Sequence, residues 1–204
     1  EIKDVFESLE ALEIETGKLQ TFTHKECQFG YRESVFKKDL KDKYVITSVT
    51  YKLSRSPQLN TSYGAIEEEL KLRNITKPTI KDVSDAVISI RQSKLPDPKK
   101  IGNAGSFFKN PVIPLSQYTE LQKRYENIPS YRVDEENVKV PAGWLIDQSG
   151  WKGKTIDDYG VHKQQALVLV NYKNAKGIDI YNLSEQIIQD ILNRYGIKLE
   201  REVN

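Results

Sequence analysis

Cysteine and histidine are nearly missing from this sequence. Its 204 residues include one cysteine, Cys27, and two histidines, His24 and His162. A lone thiol closes no internal disulfide, which fits a reducing compartment, so the cytoplasm is the expected location. One cysteine with two histidines also falls short of the ligands a structural zinc site takes. No apolar run reaches the ~18 residues of a spanning helix. No charged leader precedes an apolar stretch either, so neither a membrane span nor a signal peptide is expected in these residues. An excess of one charge is missing too. With 31 basic and 29 acidic side chains the net charge is +2, too small to argue for nucleic acid or an anionic membrane as a partner. The pairs Lys37-Lys38 and Lys99-Lys100 read as solvated. Methionine is absent altogether, so Glu1 is not a natural start and the chain is expected to be a piece of a longer one.

What is present is an ordinary globular composition, 38% hydrophobic and 29% charged, long enough for one large domain or two smaller ones. Alternation around Leu12 and Ile14, with a turn at Thr16-Gly17-Lys18, predicts a hairpin over about 7 to 22. YVITSVTYKL, residues 44 to 53, predicts a strand with Val45, Val49, Tyr51 and Leu53 on one face. Between them HKECQFGYRESVF follows neither period. Thr79 and Asp82 resemble a capping box, and Ile80, Val83, Val87 and Ile90 continue at helical spacing to about Lys94, where Pro96 and Pro98 stop it. A further helix is expected from about Leu115 to Tyr125. ALVLV, 166 to 170, reads as a buried strand. A last helix carries Ile180, Leu183, Ile187 and Ile191 and ends at Gly196, followed by an alternating tail that predicts a final strand. The fold class expected is α+β in two lobes, with more than one sheet.

One segment fits neither loop nor core. IGNAGSFFKNP, 101 to 111, joins Gly102, Asn103 and Gly105 to Phe107 and Phe108, with Ser106 between. Such a mixture suits a backbone that something approaches closely, over an apolar floor; a tight turn entering a buried strand is the simpler alternative. Ser106 lacks the Gly-x-Ser-x-Gly frame of a hydrolase elbow, and nothing in the sequence places a histidine beside it. The glycine spacing matches neither of the familiar phosphate-cradling motifs. The residues alone point to a small-molecule site near Ser106 and no further.

Taken with other segments, IGNAGSFFKNP resembles the serine motif of the UDP-N-acetylenolpyruvoylglucosamine reductase family, flavoenzymes of peptidoglycan precursor synthesis. CQFGYRESVF (27–36), SYG (62–64), KLPDP (94–98), AGWLIDQSG (142–150), VHKQQALVLVN (161–171) and LEREV (199–203) follow in the family's order and separation. The resemblance implies FAD and NADPH as cofactors, the enolpyruvyl ether of UDP-N-acetylglucosamine as substrate, and a monomer. It implies the later half of an FAD-binding domain over 1–95, a substrate domain over 96–196, and a return strand over 197–204. Ser106 would be the proton donor, with Arg32 and a protonated Glu202 polarising the substrate carboxylate. Tyr63, Lys94, Asn110, Tyr131 and Gln165 would bind the nucleotide sugar, Lys94 and Asn110 at its diphosphate. Two departures stand out. Arg201 occupies a position where the family often has proline, and the family's flavin pyrophosphate loop has no counterpart. The alternative is a nucleotide-sugar binding module without catalysis.

Overall fold

The computed structural model describes residues 2–62 and 65–203; Tyr63 lies outside them. The chain divides into two compact units between Asn60 and Thr61, upstream of the KLPDPKK segment. That segment is fastened forward. The Asn103 side-chain amide donates to the carbonyls of Pro96 (3.3 Å) and Ile101 (2.9 Å), and the Ile101 amide donates to Asp97.

In the first unit, strands β1 (Phe6–Glu13), β2 (Leu19–Thr23) and β3 (Tyr44–Tyr51) form an antiparallel sheet in the order β2-β1-β3. The expected hairpin is present, and Gly17 takes φ +68° at its turn, a conformation cheap for glycine. The stretch with neither period opens with a single helical turn, α1 (His24–Cys27), started by a Thr23–Glu26 capping box, and ends in a 3-10 turn from Val35. Leu9, Ala11, Phe22 and Cys27 make the core, with Phe36 and Tyr44 meeting Phe22 edge-on at 5.0 and 5.3 Å.

Strand β3 departs from the sequence pattern. Its register against β1 runs Leu12↔Val45, Ala11↔Ile46, Glu10↔Ser48, Leu9↔Val49, so Thr47 is an extra residue. A bulge inverts the alternation beyond it. Ile46, Val49 and Tyr51 therefore share the face of Leu9 and Ala11, and Val45 lies on the other. Val45, Ile46, Val49 and Tyr51 all remain 40–52% exposed on this edge strand.

The second unit opens with a helical pair, α2 (Ile66–Leu72) and α3 (Ile80–Lys94), around Ile66, Leu70 and Ala86. The Thr79–Asp82 capping box starts α3. Extended Leu95 ends it, as a residue before proline should. Then follow β4 (Gly102–Ser106), β5 (Val112–Pro114), α4 (Leu115–Arg124), β6 (Tyr131–Arg132), β7 (Asn137–Lys139), α5 (Ala142–Gln148), β8 (Thr155–Ile156), β9 (Tyr159–Val161), β10 (Val168–Asn171) and α6 (Gly177–Tyr195). They build one sheet ordered β4-β10-β9-β8 and another ordered β5-β7-β6. The α+β class holds.

Helix α6 buries Leu183, Ile187 and Ile191 of the expected stripe and Ile188 beside them, while Ile180 is only partly buried; Gly196 caps it at φ +66°. The tail keeps its alternation, with Ile197 and Leu199 buried. Instead of a full strand it makes an isolated bridge, Phe108↔Arg201, flanked by two backbone bonds: Lys109 amide to Glu200 carbonyl, and Glu202 amide to Phe107 carbonyl, both 2.9 Å. Among the described residues no helix is long and apolar enough to cross a membrane.

Candidate functional site

The small residues around Ser106 have separate geometric reasons. A Cβ on Gly102 would sit 3.3 Å from the Asn171 carbonyl of the adjoining strand β10. Gly105 takes φ +74° and donates its amide to Asn103 Oδ1 at 3.1 Å. Ser106 pairs with Val168 and is exposed, while Phe107 and Phe108, the next two residues, are 7% and 1% exposed and meet edge-on at 5.5 Å. An exposed serine is thus followed directly by two buried aromatic rings. The backbone bond from Glu202 to Phe107 brings the tail glutamate alongside the residue that follows Ser106.

A cavity of about 690 Å³ in the same unit gathers Asn110, Tyr131 and Gln165. Asn110 is oriented by its own chemistry. Its Oδ1 accepts the Ala142 amide at 2.9 Å, at the first turn of α5, which turns the amide's NH₂ end away from that bond as a donor. Trp144 lines the cavity with Lys139 and Lys152; the Lys152 ammonium lies 2.8 Å from Asp147. These two lysines were not singled out by the sequence. Their only signal was Lys152's place just after the AGWLIDQSG segment.

The remaining sequence candidates lie elsewhere. Lys94 is exposed in the last turn of α3 and is not among the cavity's lining residues. Ser62, the neighbour of Tyr63, does line it. Arg32 belongs to the first unit and takes φ +58°, a conformation uncommon outside glycine and asparagine. It occupies a four-residue turn closed by Gly30 and Glu33, and its carbonyl accepts the Lys37 ammonium at 3.0 Å. The histidines are structural: His24 packs against Phe6 and Phe29. His162 Nδ1 accepts the Gln164 amide at 3.4 Å, and burial pushes its pKa below the ordinary value. No cluster able to hold a metal occurs among the described residues.

The dinucleotide implied by the resemblance needs amides for its pyrophosphate, which helix N-termini commonly supply. At α1, α3 and α6, Glu26, Asp82 and Asp179 accept the amide of the residue just before the helix, from Thr23 (2.8 Å), Thr79 (2.7 Å) and Lys176 (2.7 Å).

Comparison with known proteins places these features in context. The family described as UDP-N-acetylenolpyruvoylglucosamine reductase, C-terminal domain, matches residues 97–204. The UDP-N-acetylenolpyruvoylglucosamine reductase of Flavobacterium johnsoniae is 57% identical over 205 residues, covering all of this chain and 61% of that protein. Its counterpart from Pseudomonas savastanoi pv. phaseolicola is 50% identical and is covered over 60% of its length. The chain therefore spans about 60% of these relatives. A crystal structure of UDP-N-acetylenolpyruvylglucosamine reductase from Thermus caldophilus superposes with a TM-score of 0.56 at 21% identity, over 98% of this chain and 53% of that one. It shares the fold.

Proposed function

Since the chain belongs to the UDP-N-acetylenolpyruvoylglucosamine reductase family, we propose that it forms the substrate side of an FAD- and NADPH-dependent reductase. Its substrate is UDP-N-acetylglucosamine carrying an enolpyruvyl ether, as the relatives' name indicates. The observation that carries this reading is the cavity itself. It combines two ammonium groups, an oriented amide donor and aromatic walls, the chemistry that holds a diphosphate and a base.

In this reading Lys139, Lys152 and the Asn110 NH₂ hold the diphosphate, and Tyr131 and Gln165 order the remainder of the nucleotide sugar. Lys94 and Tyr63 are assigned to the same ligand by the family resemblance alone. A reduced flavin, when bound, would supply the hydride for the terminal alkene carbon. What falls to this chain is the other end of the double bond. Charge accumulates on the adjoining carbon and its carboxylate, where Glu202 stabilises it; Arg32 is assigned to that carboxylate by the family resemblance alone. The Ser106 hydroxyl then donates a proton to that carbon and recovers one from water. Serine is a weak acid near neutrality, but a carbanion is basic enough to take its proton at hydrogen-bond range.

The cavity's lining, which lies within the second unit, also suits a second reading, nucleotide-sugar binding without flavin chemistry. Two titrations separate them. Calorimetry with UDP-N-acetylglucosamine should show binding to the chain, weakened at least tenfold in Lys152→Glu; no binding to either protein would sink both readings. FAD retained through dialysis by a protein of the relatives' full length favours the reductase, and its loss favours the binding module.

A further inference from the structure

The tail that carries Glu202 alternates. Ile197 and Leu199 are buried and Val203 packs against the core, so position 201 belongs to the inward row. There the sequence has arginine. A guanidinium on an apolar row costs heavily unless it is paired, and its partners are all on one face of α6. Arg201 Nε donates to Ser184 Oγ at 2.7 Å, and its Nη2 donates to a Glu185 carboxylate oxygen. The guanidinium lies 4.3 Å from the centre of the Tyr181 ring. Ser184 is a fully buried polar side chain, and its hydroxyl donates to the Tyr181 carbonyl at 2.6 Å, which leaves its oxygen to accept from arginine. Arg201 also holds the Glu185 carboxyl below the usual carboxylate range. On the opposite row Glu200 pairs with Lys109. The strap is thus tied through one face to α6 and through the other to the segment after Ser106.

We infer that Arg201 is the positioning residue of the site: seated on Tyr181, Ser184 and Glu185, it fixes the register in which Glu202 bonds Phe107, the residue that follows Ser106. The inference rests on the proposed function for the role of Glu202, but not for the clamp. A clamp of this kind is built from geometry that only a planar, multidentate cation satisfies. Lysine would keep the charge and lose the fork.

Amide hydrogen exchange on the 204-residue chain tests it. In Arg201→Gln the amides of Glu202 and Lys109 should exchange at least tenfold faster than in the parent, while those of Val168 and Ile187 keep their protection. Arg201→Lys should recover only part of the loss. Unchanged exchange at Glu202 and Lys109 in Arg201→Gln overturns the inference. If that variant unfolds as a whole, Glu185→Gln replaces it, and the same two amides must loosen selectively or the inference fails. In the flavin-loaded protein of full length, Arg201→Gln should lower kcat at least tenfold with KM for the nucleotide sugar within twofold. If Glu202→Gln leaves kcat intact while Arg201→Gln still frees the two amides, the catalytic assignment of Glu202 falls and the clamp stands.

Discussion

At Asn110 one amide has two tasks, since its oxygen caps α5 through Ala142 and its NH₂ remains for the cavity. Asn110→Asp keeps an acceptor for Ala142 but sets an anion where the diphosphate is proposed to lie. Affinity for UDP-N-acetylglucosamine should fall at least tenfold by calorimetry, with the thermal midpoint nearly unchanged. Asn110→Ala should lose both affinity and midpoint. For Ser106→Ala, loss of a positioned general acid should lower turnover by ~10²–10⁴-fold, read as substrate reduction in the full-length protein; undiminished turnover removes Ser106 as donor. The Ser106 segment was the legible part of the site, because glycine beside phenylalanine has few structural explanations. Lys139 and Lys152 were illegible for the opposite reason: a lysine in a polar loop reads as solvated whether or not it faces a cavity. Lys94 came from resemblance alone, and the structure leaves it exposed.

Elements with a long period were readable and those without one were not. Ile80–Lys94 is a helix with the cap and stop expected of it, and Gly177–Tyr195 ends at Gly196 as expected, since each carries an apolar stripe that runs to a clear stop. Strands β5 to β9 are two or three residues long, shorter than any alternation that could announce them. The Thr47 bulge was equally invisible, because it changes pairing and not composition. Position 160 shows how tightly the short strands are built. A Cβ there would lie 2.3 Å from the Lys154 carbonyl oxygen, with backbone that cannot turn aside. Gly160→Ala should cost about 1–3 kcal/mol, measured by urea titration; a cost near zero would mean the β8–β9 hairpin shifts freely. His162, on the loop after β9, has a folded pKa depressed by burial. Its contribution to stability is complete above the unfolded value of ~6.5 and is lost as pH falls through the folded one. An imidazole NMR titration should place its midpoint below ~6.5, and a midpoint above that would contradict the partly buried neutral ring.

Over the whole molecule, the two units differ in how much they bury. Among the described residues the larger cluster of the second unit has 22 buried members and the first unit's cluster has four. Stability follows buried apolar area, so amides of β1 to β3 should exchange faster than those of β10 and α6. The segment from Lys52 to Asn60 is exposed and without regular structure. Brief trypsin treatment should cut at Lys52 or Arg55 first and leave a C-terminal piece that retains its helical circular dichroism. Simultaneous loss of both units would show them to be one cooperative body. The α+β class was evident from alternating patterns along the chain. The compact division at Asn60 was not, because proline clusters such as KLPDP mark changes of direction as well as borders between units.

Strand β3 has a consequence for handling the protein in solution. YVITSVTY has no proline, no glycine and no charged side chain, and it forms an open border of its sheet with its apolar side chains half exposed. Such a segment is a template for fibrillar self-pairing between chains. Concentrated solutions of the 204-residue chain should develop thioflavin fluorescence on standing. Val49→Lys should suppress it without disturbing the second unit, as gatekeeper charges do at exposed borders.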